Sequence, residues 1–286
     1  MKLSVALAIF NEESTITRCI ESVYDIADEI IVIDGGSTDE TLAILKKLDE
    51  GSRTKSGMTK IKVFHEENPP MFHINKQKAL EKCTGDWILQ LDADEVVSAE
   101  LAKEILKQVQ DDSATQDDAS VNPHDTHVIS NEVRDLSPVA YWIPRLNYFL
   151  GKPLRKGGQY PDPTIRLYKN GVAHFACKTV HEQVAINGEV GWLKNDLLHY
   201  PYPTFTAYVE KWVRYTRLEA EKNFKKGMRP SVQNAVKYGI FMPKMWFFKT
   251  YFRHRGYADG FPGFVFSLFS SLRYLVEYIF LYEKSR

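Results

Sequence analysis

An apolar run that stops abruptly at a row of carboxylates is the feature that most restricts this chain. Trp87-Ile88-Leu89-Gln90-Leu91 leads directly into Asp92-Ala93-Asp94-Glu95. Such a run reads as a strand buried on both faces, as in a parallel sheet covered by helices. Side chains two apart on a strand share a face. Asp92 and Asp94 are therefore expected to point together at the strand end where open α/β sheets hold their ligands. Two hard oxygen donors at such a place suit Mg2+ or Mn2+ bridging phosphate oxygens. The same triplet also serves to cap a helix, and taken alone it does not choose between the two roles.

The pattern repeats along the first hundred residues. Leu3 to Ile9 reads as a first buried strand and exits into Phe10-Asn11-Glu12-Glu13. Ile16, Cys19, Ile20 and Val23 then recur at helical spacing. Glu29 to Ile33 is a second strand, ending in Asp34-Gly35-Gly36-Ser37-Thr38. There the glycines allow a tight turn, and Ser37 or Thr38 is expected to cap the helix that follows, to about Leu48. Ile61 to His65 is a third strand, Asn75 to Lys82 a helix, and Ala99 to Gln110 another. Strands alternating with helices predict an α/β fold with a mostly parallel sheet covered on both sides. Polar residues stand at three strand ends: Asn11, Asp34, and the Asp92/Asp94 pair. Caps explain each separately; together on one sheet edge they favour a nucleotide site.

The turn after the first strand decides the kind of nucleotide. A dinucleotide fold places G-x-G-x-x-G there, but Phe10-Asn11-Glu12-Glu13-Ser14-Thr15 has no glycine, and no P-loop occurs. A diphosphate in this site must then be neutralised by a metal. That points to a nucleotide-sugar held through a carboxylate-bound cation. Phe10, Asn11, Glu12 and Asp34 are candidates for donor contact. Arg145, Arg166, Lys76 and Lys78 are candidates for the diphosphate or for an anionic acceptor, since cations suit phosphate and arginine does so through its planar fork. Lys76 and Lys78 are two apart on a helix and do not share a face, so at most one of them is expected to reach the donor.

Val5 to Glu13, Val32 to Thr41 and Leu91 to Glu95, in that order and spacing, resemble the family 2 glycosyltransferases of the GT-A fold. The resemblance implies that Asp34 recognises the nucleobase or ribose, that Asp92 lies near ribose and metal, and that Asp94 ligates the metal. It also implies inverting transfer in one displacement at the anomeric carbon. The second half, from Trp142 to Asp162 and through Leu197-Leu198-His199-Tyr200 to Gly256 to Phe261, resembles bacterial lipopolysaccharide-core-type glucosyltransferases. On that resemblance Glu182 is the base that takes the acceptor proton, with Asp162 as runner-up, and His199 is a further metal ligand. Glu182 pairing with an arginine, or His199 as a packed core residue, are the plain alternatives. The implied partners are a nucleotide-diphospho-sugar, most simply a UDP-sugar, and a saccharide or lipid-linked acceptor in envelope glycan synthesis.

Charge divides the chain unevenly around a formal net charge of zero. Residues 1–110 hold 13 Lys/Arg and 20 Asp/Glu, whereas residues 201–286 hold 15 and 6. A neutral total with an acidic first half disfavours nucleic acid as a partner. The basic tail, with 15 aromatic residues between positions 240 and 286, suits helices lying on an anionic bilayer, or a helical subdomain that buries its rings. Arg273 and Glu277 interrupt its longest apolar stretch, so no membrane-spanning helix is predicted. Residues 111–136 are acidic and poor in large apolar residues, which predicts an exposed insert loop. The domain expectation is a GT-A domain over 1–200 and a helical region over 201–286. Three scattered cysteines and a first strand at the N-terminus predict a cytoplasmic protein, peripheral on the inner face of the cytoplasmic membrane. Two rivals remain. A nucleotidyltransferase would show a glycine-rich basic first turn where this chain has Asn11-Glu12-Glu13. An inactive sugar- or lipid-binding scaffold would not need Asp34, Asp92, Asp94 and Glu182 together.

Overall fold

The computed structural model describes residues 1–51, 60–117, 138–177 and 183–286, with the side chains of 113–117 excluded. His181 and Glu182 lie outside the described residues, as does most of the expected 111–136 insert. The chain divides into two compact units. One comprises Met1–Arg145 and Pro163–Leu198; the other comprises Leu146–Asp162 and His199–Arg286. The segment 146–162 thus belongs with the C-terminal helices, although the expected boundary was a single cut at residue 200.

In chain order the strands are β1 (Leu3–Ile9), β2 (Glu29–Asp34), β3 (Ile61–His65), β4 (Trp87–Leu91), β5 (Glu95–Val97), β6 (Ala140–Ile143), β7 (Arg145–Phe149), β8 (Lys152–Pro153), β9 (Thr164–Lys169), β10 (Ala173–His174), β11 (Ala185–Ile186), β12 (Val190–Trp192) and β13 (Leu197–His199). The α-helices are α1 (Ile16–Val23), α2 (Thr41–Gly51), α3 (His73–Glu81), α4 (Ala99–Asp117), α5 (Phe205–Lys225), α6 (Val232–Val236), α7 (Met242–Phe247) and α8 (Gly260–Lys284).

The first unit is built on a seven-stranded sheet ordered β12-β6-β9-β4-β1-β2-β3. β4, β1, β2 and β3 are mutually parallel, β9 is antiparallel to both β4 and β6, and β12 is parallel to β6. The mostly parallel sheet expected from the apolar runs is therefore present. Alternate strand residues feed opposite cores, as the pleat requires. Val5, Leu7, Val32, Leu89 and Leu91 pack with α1 and with Leu101 and Ile105 of α4. Ala6, Ile31, Ile33 and Ile88 pack on the other face with Ala79 and Leu80 of α3. The turn before β4 needs Gly85, where a Cβ would stand 2.7 Å from Ser4 Oγ and 2.8 Å from Ser4 N.

α4 corrects the expected insert at its start. The helix continues to Asp117 instead of ending at Gln110. Asp112, read as part of a solvated loop, accepts hydrogen bonds from Trp87 Nε1 at 3.3 Å and Lys169 Nζ at 2.7 Å. A polar sequence hid these partners, which come from distant strands.

The second unit pairs α5 with α8. Phe149, Tyr208 and Phe269 form an edge-to-face cluster with ring centroids 4.7 and 5.6 Å apart, an arrangement aromatic quadrupoles favour. Trp212 Nε1 donates to Phe269 O at 3.1 Å, fixing its indole. Between α6 and the 3-10 turn at Gly256–Asp259, the chain passes through two π-helical stretches, Lys237–Phe241 and Phe248–Arg253. Pro243, which has no N–H to donate, follows the first of them. The helical segment Gly256–Lys284 is long and apolar enough to cross a membrane, by length and composition alone, its most apolar 18-residue stretch having mean hydropathy 1.5. Arg273 and Glu277 interrupt an unbroken apolar run, whereas an average over 18 residues tolerates two charges.

Candidate active site

The exits of β1 and β2 are fastened to each other by a reciprocal set of hydrogen bonds. Asn11 takes the left-handed conformation, φ 55°, which asparagine tolerates better than most residues. Its Oδ1 accepts from Thr38 N at 2.8 Å, and its own N–H donates to Ser37 Oγ at 2.9 Å. Glu12 N donates to Thr41 Oγ1 at 2.8 Å, Glu13 N to Asp39 Oδ2 at 3.1 Å, and Glu40 N to Glu13 Oε2 at 3.1 Å. Ser37 and Thr38 thus serve the clasp and not the helix cap expected of them. Asp39 takes that part, accepting from Thr41 N at 3.1 Å. Phe10, 43% exposed, stands at the mouth of the same turn.

Asp34 closes β2. In the parallel register it lies beside Ile9 on one side and His65 on the other. Its carboxylate accepts from Ser37 N at 3.1 and 3.2 Å and from Gly36 N at 3.2 Å, with His65 Nδ1 at 3.3 Å. The side chain is 1% exposed. As it stands, Asp34 anchors the turn; direct donor contact through this carboxylate needs the 36–37 turn or His65 to shift.

Asp92 follows β4, two strands from Asp34 across β1, which is about 10 Å of sheet. Both of its carboxylate oxygens are taken. Lys76 Nζ lies 2.5 Å from Oδ1, and Arg166 Nη2 lies 2.5 Å from Oδ2. Arg166 also reaches Glu95 Oε1 at 2.7 Å and donates to Gln90 Oε1. Glu95, fully buried, accepts from Asp92 N at 2.9 Å and from Arg145 Nη1 at 3.3 Å. Burial acts to raise the pKa of Asp92, but Arg166 and Lys76 outweigh it and hold the carboxyl well below the usual range. Burial pulls the Lys76 ammonium below its ordinary value, with Asp92 opposing. Lys78 points elsewhere, to Glu66 Oε2 at 2.7 Å, as the helical spacing requires.

Two expectations change here. Arg166 is not a solvated surface cation: it is 6% exposed, with its guanidinium engaged on three side chains of the same rim. The strand also ends at Leu91. Glu95 N donates to Asp92 O at 2.9 Å, so residues 92–95 form a turn. The shared face of Asp92 and Asp94 therefore cannot be argued from strand period. Burial nonetheless alternates through it, with Leu91, Ala93 and Glu95 buried and Asp92 and Asp94 half-exposed.

Asp94 offers a half-exposed carboxylate beside this cluster. Among the described residues, no group of three or more His, Cys, Asp and Glu is arranged to hold a metal ion. The donor set nevertheless fits a hard divalent cation that keeps its waters and takes phosphate oxygens from a substrate, since Mg2+ commonly needs only one or two carboxylates from the protein. His199 and Asp162 belong to the second unit, where both meet Asn147. His199 Nδ1 lies 2.6 Å from Asn147 Oδ1, and Asn147 Nδ2 donates to Asp162 Oδ2 at 3.2 Å.

Glu95, Gln90 and Asp39 were not among the candidate site residues of the sequence, and Ser37 and Thr38 were expected only as helix caps. Glu95 had a signal: it continues the buried alternation Leu91, Ala93, Val97 while carrying a charge, which demands a buried partner.

A cluster of compensated charge stands at the C-terminal rim of a mostly parallel sheet, the edge at which α/β folds of this kind hold their ligands. The family model for glycosyl transferase family 2 matches residues 4–174, more than half of the chain. The chain belongs to that family and is a glycosyltransferase. It is 29% identical over 285 residues to an uncharacterized glycosyltransferase of Rickettsia typhi, covering 96% of this chain and 85% of the relative. It is 27% identical over 268 residues to the lipopolysaccharide core biosynthesis glycosyltransferase LpsC of Rhizobium meliloti, covering 93% and 86%. Among solved structures, TarS of S. aureus aligns with TM-score 0.46 and 17% identity, over 96% of this chain and 49% of that one.

Proposed function

We propose that this glycosyltransferase inverts configuration while moving a sugar from a nucleotide-diphospho-sugar, a UDP-sugar, to a saccharide or lipid-linked acceptor of a cell-envelope glycan. The observation that carries the reading is the joint placement of the Asn11–Asp34 clasp and the Lys76–Asp92–Arg166–Glu95 cluster on one rim of the parallel strands. The similarity to LpsC, whose name assigns it to lipopolysaccharide core biosynthesis, supports an envelope glycan as product.

In this reading Phe10, Asn11, Glu12 and Asp34 form the nucleoside end of the donor site. Asp92 carries the ribose side, held in place by Lys76 and Arg166, with Arg145 behind Glu95. Asp94, with Asp92 beside it, would hold Mg2+ or Mn2+. When bound, the cation supplies neutralisation of the negative charge that grows on the leaving diphosphate. The acceptor oxygen attacks the anomeric carbon, and the bond from that carbon to the diphosphate oxygen breaks with its electron pair leaving on the diphosphate. Glu182 takes the acceptor proton, with Asp162 in reserve.

Membrane association belongs to the same proposal. Val232, Phe241, Phe248 and Phe261 of the second unit are 84, 61, 63 and 70% exposed, and Lys237 and Lys244 are interspersed with them. Exposed apolar residues among lysines suit the cytoplasmic face of an anionic bilayer.

The test is a screen of nucleotide-sugars for metal-dependent thermal stabilisation and slow donor hydrolysis, repeated on Glu182→Gln. UDP-sugars are expected to stabilise the protein only with Mg2+ or Mn2+, and the variant to bind donor normally yet not transfer. Stabilisation without metal, or near-normal turnover in Glu182→Gln, rejects the corresponding part.

A further inference from the structure

The second unit contains a cavity that the donor reading does not use. Its volume is about 430 Å3, and its lining includes Lys211, Lys249, His254 and Arg273 together with Trp212 and Trp246. No carboxylate lines it. The cations come from separate elements: Lys211 from α5, Lys249 from the second π-helical stretch, His254 from the turn after it, and Arg273 from α8. None of them is paired with a carboxylate among the described residues. Arg273 Nε is buried without a hydrogen-bond acceptor. The nearest acid along α8, Glu277, is one turn away and accepts from Asn223 Nδ2 at 2.6 Å. Three permanent positive charges thus line one cavity whose wall holds no carboxylate, a field that favours an anion.

The walls narrow the class of anion. Lys211 and Lys249 lie over the rings of Tyr202 and Trp246 at 5.3 and 4.7 Å, so their ammonium groups are steered by aromatic faces. Trp212 is fixed through its indole N–H and presents a rigid aromatic surface. Small-molecule sites occupy roughly 300–1,000 Å3 and combine apolar rings with a few charged groups. A bare phosphate leaves most of such a cavity unfilled, whereas a sugar ring fills it and offers C–H faces to indoles.

We propose that this cavity binds an anionic saccharide, one carrying a phosphate or carboxylate, as the acceptor-recognition site of the enzyme. Its naming as an acceptor site rests on the transfer reading above; the binding itself does not.

Calorimetric titration of the full chain with glucose 6-phosphate, glucuronate, glucose and inorganic phosphate tests it, with UDP titrated separately. At least one of the two charged sugars is expected to saturate with a Kd ten-fold or more below that of glucose, and glucose 6-phosphate to bind more tightly than phosphate. Lys211→Ala and Lys249→Ala should each raise that Kd about five-fold, while leaving UDP affinity unchanged. Equal affinity for glucose, saturation by neither charged sugar, phosphate as tight as the sugar phosphate, or indifference to both variants overturns the proposal. Charged-sugar binding without any UDP binding leaves the cavity standing and removes the donor reading instead.

Discussion

Arg166 Nη2 meets Asp92 Oδ2 at 2.5 Å, and this contact ties antiparallel β9 to the tip of parallel β4. The same guanidinium holds Glu95, which is fully buried. Removing it leaves two carboxylates facing each other with their main cation gone. Breaking one side of a buried ion pair costs about 3–5 kcal/mol. Arg166→Met is expected to lose that much in urea unfolding. Arg166→Lys should recover part of it, because an ammonium restores charge without the fork that spans Gln90, Asp92 and Glu95.

The two aspartates of the rim are expected to separate in their effects. Asp92→Asn strips the charge that holds buried Lys76 and Arg166, so it should destabilise by about 3 kcal/mol. Asp94 is half-exposed, and Asp94→Asn should cost less than about 1 kcal/mol. If Asp94 holds the cation, that variant loses transfer and its response to added Mn2+ while keeping its melting temperature. Titrating Mn2+ against initial rate in both variants, with thermal melts alongside, checks the split.

Asn11 has two separable duties in the clasp: a left-handed backbone and a side-chain acceptor for Thr38 N. Asn11→Gly keeps the backbone at little cost and loses only the acceptor. Asn11→Ala loses both and adds about 1–2 kcal/mol of backbone strain. Both variants should weaken UDP binding, Ala more than Gly, as read by calorimetry. Equal UDP affinity in wild type and Asn11→Ala dissociates the clasp from the donor site.

The parts of this fold that were legible in the sequence are those written in consecutive residues. Leu3–Ile9, Glu29–Asp34 and Trp87–Leu91 announce buried strands because, Ser4 and Gln90 apart, every position between their ends is apolar. The rim residues Asn11, Asp34 and Asp92 were legible for the same reason. What they touch was not. Arg166 meets Asp92 across 74 positions, and Asp112 meets Lys169 across 57. Nothing local distinguishes Arg166 from a solvated arginine, or Asp112 from a loop aspartate, until the strands bring their partners alongside. The grouping of 146–162 with the C-terminal helices is equally non-local.

Glu29 gives the first unit an acid-sensitive joint. Burial by itself would raise its pKa, but hydrogen bonds from Lys62, Ser4 and Thr84 prevail and lower it from 4.5 to about 2. A carboxyl depressed by folding adds stability above its unfolded pKa, and that stability drains away as pH falls from about 4.5 towards 2. The contribution is at most about 3 kcal/mol. Glu29→Gln should flatten this part of the stability–pH curve, measured by urea unfolding between pH 7 and 3; an unchanged slope removes Glu29 from the account.

Glu277 behaves in the opposite sense. It is 3% exposed on α8, and its carboxyl accepts from Asn223 Nδ2 on α5. Burial raises its pKa above 4.5, with the Asn223 hydrogen bond and Arg273 only partly opposing. A carboxyl raised by folding is stabilising while protonated. That gain is complete below the unfolded pKa and is lost as pH climbs through the folded one. At pH 8 the helix pair therefore carries a buried charge that it would hold better as a neutral group. Glutamine keeps an oxygen for Asn223 and removes the charge. Glu277→Gln is expected to raise the melting temperature at pH 8 by about 2–4 °C, with the difference vanishing near pH 4. A variant less stable than wild type at pH 8 would mean that the charge itself is needed there, and that Arg273 in the adjacent turn is its counter-ion.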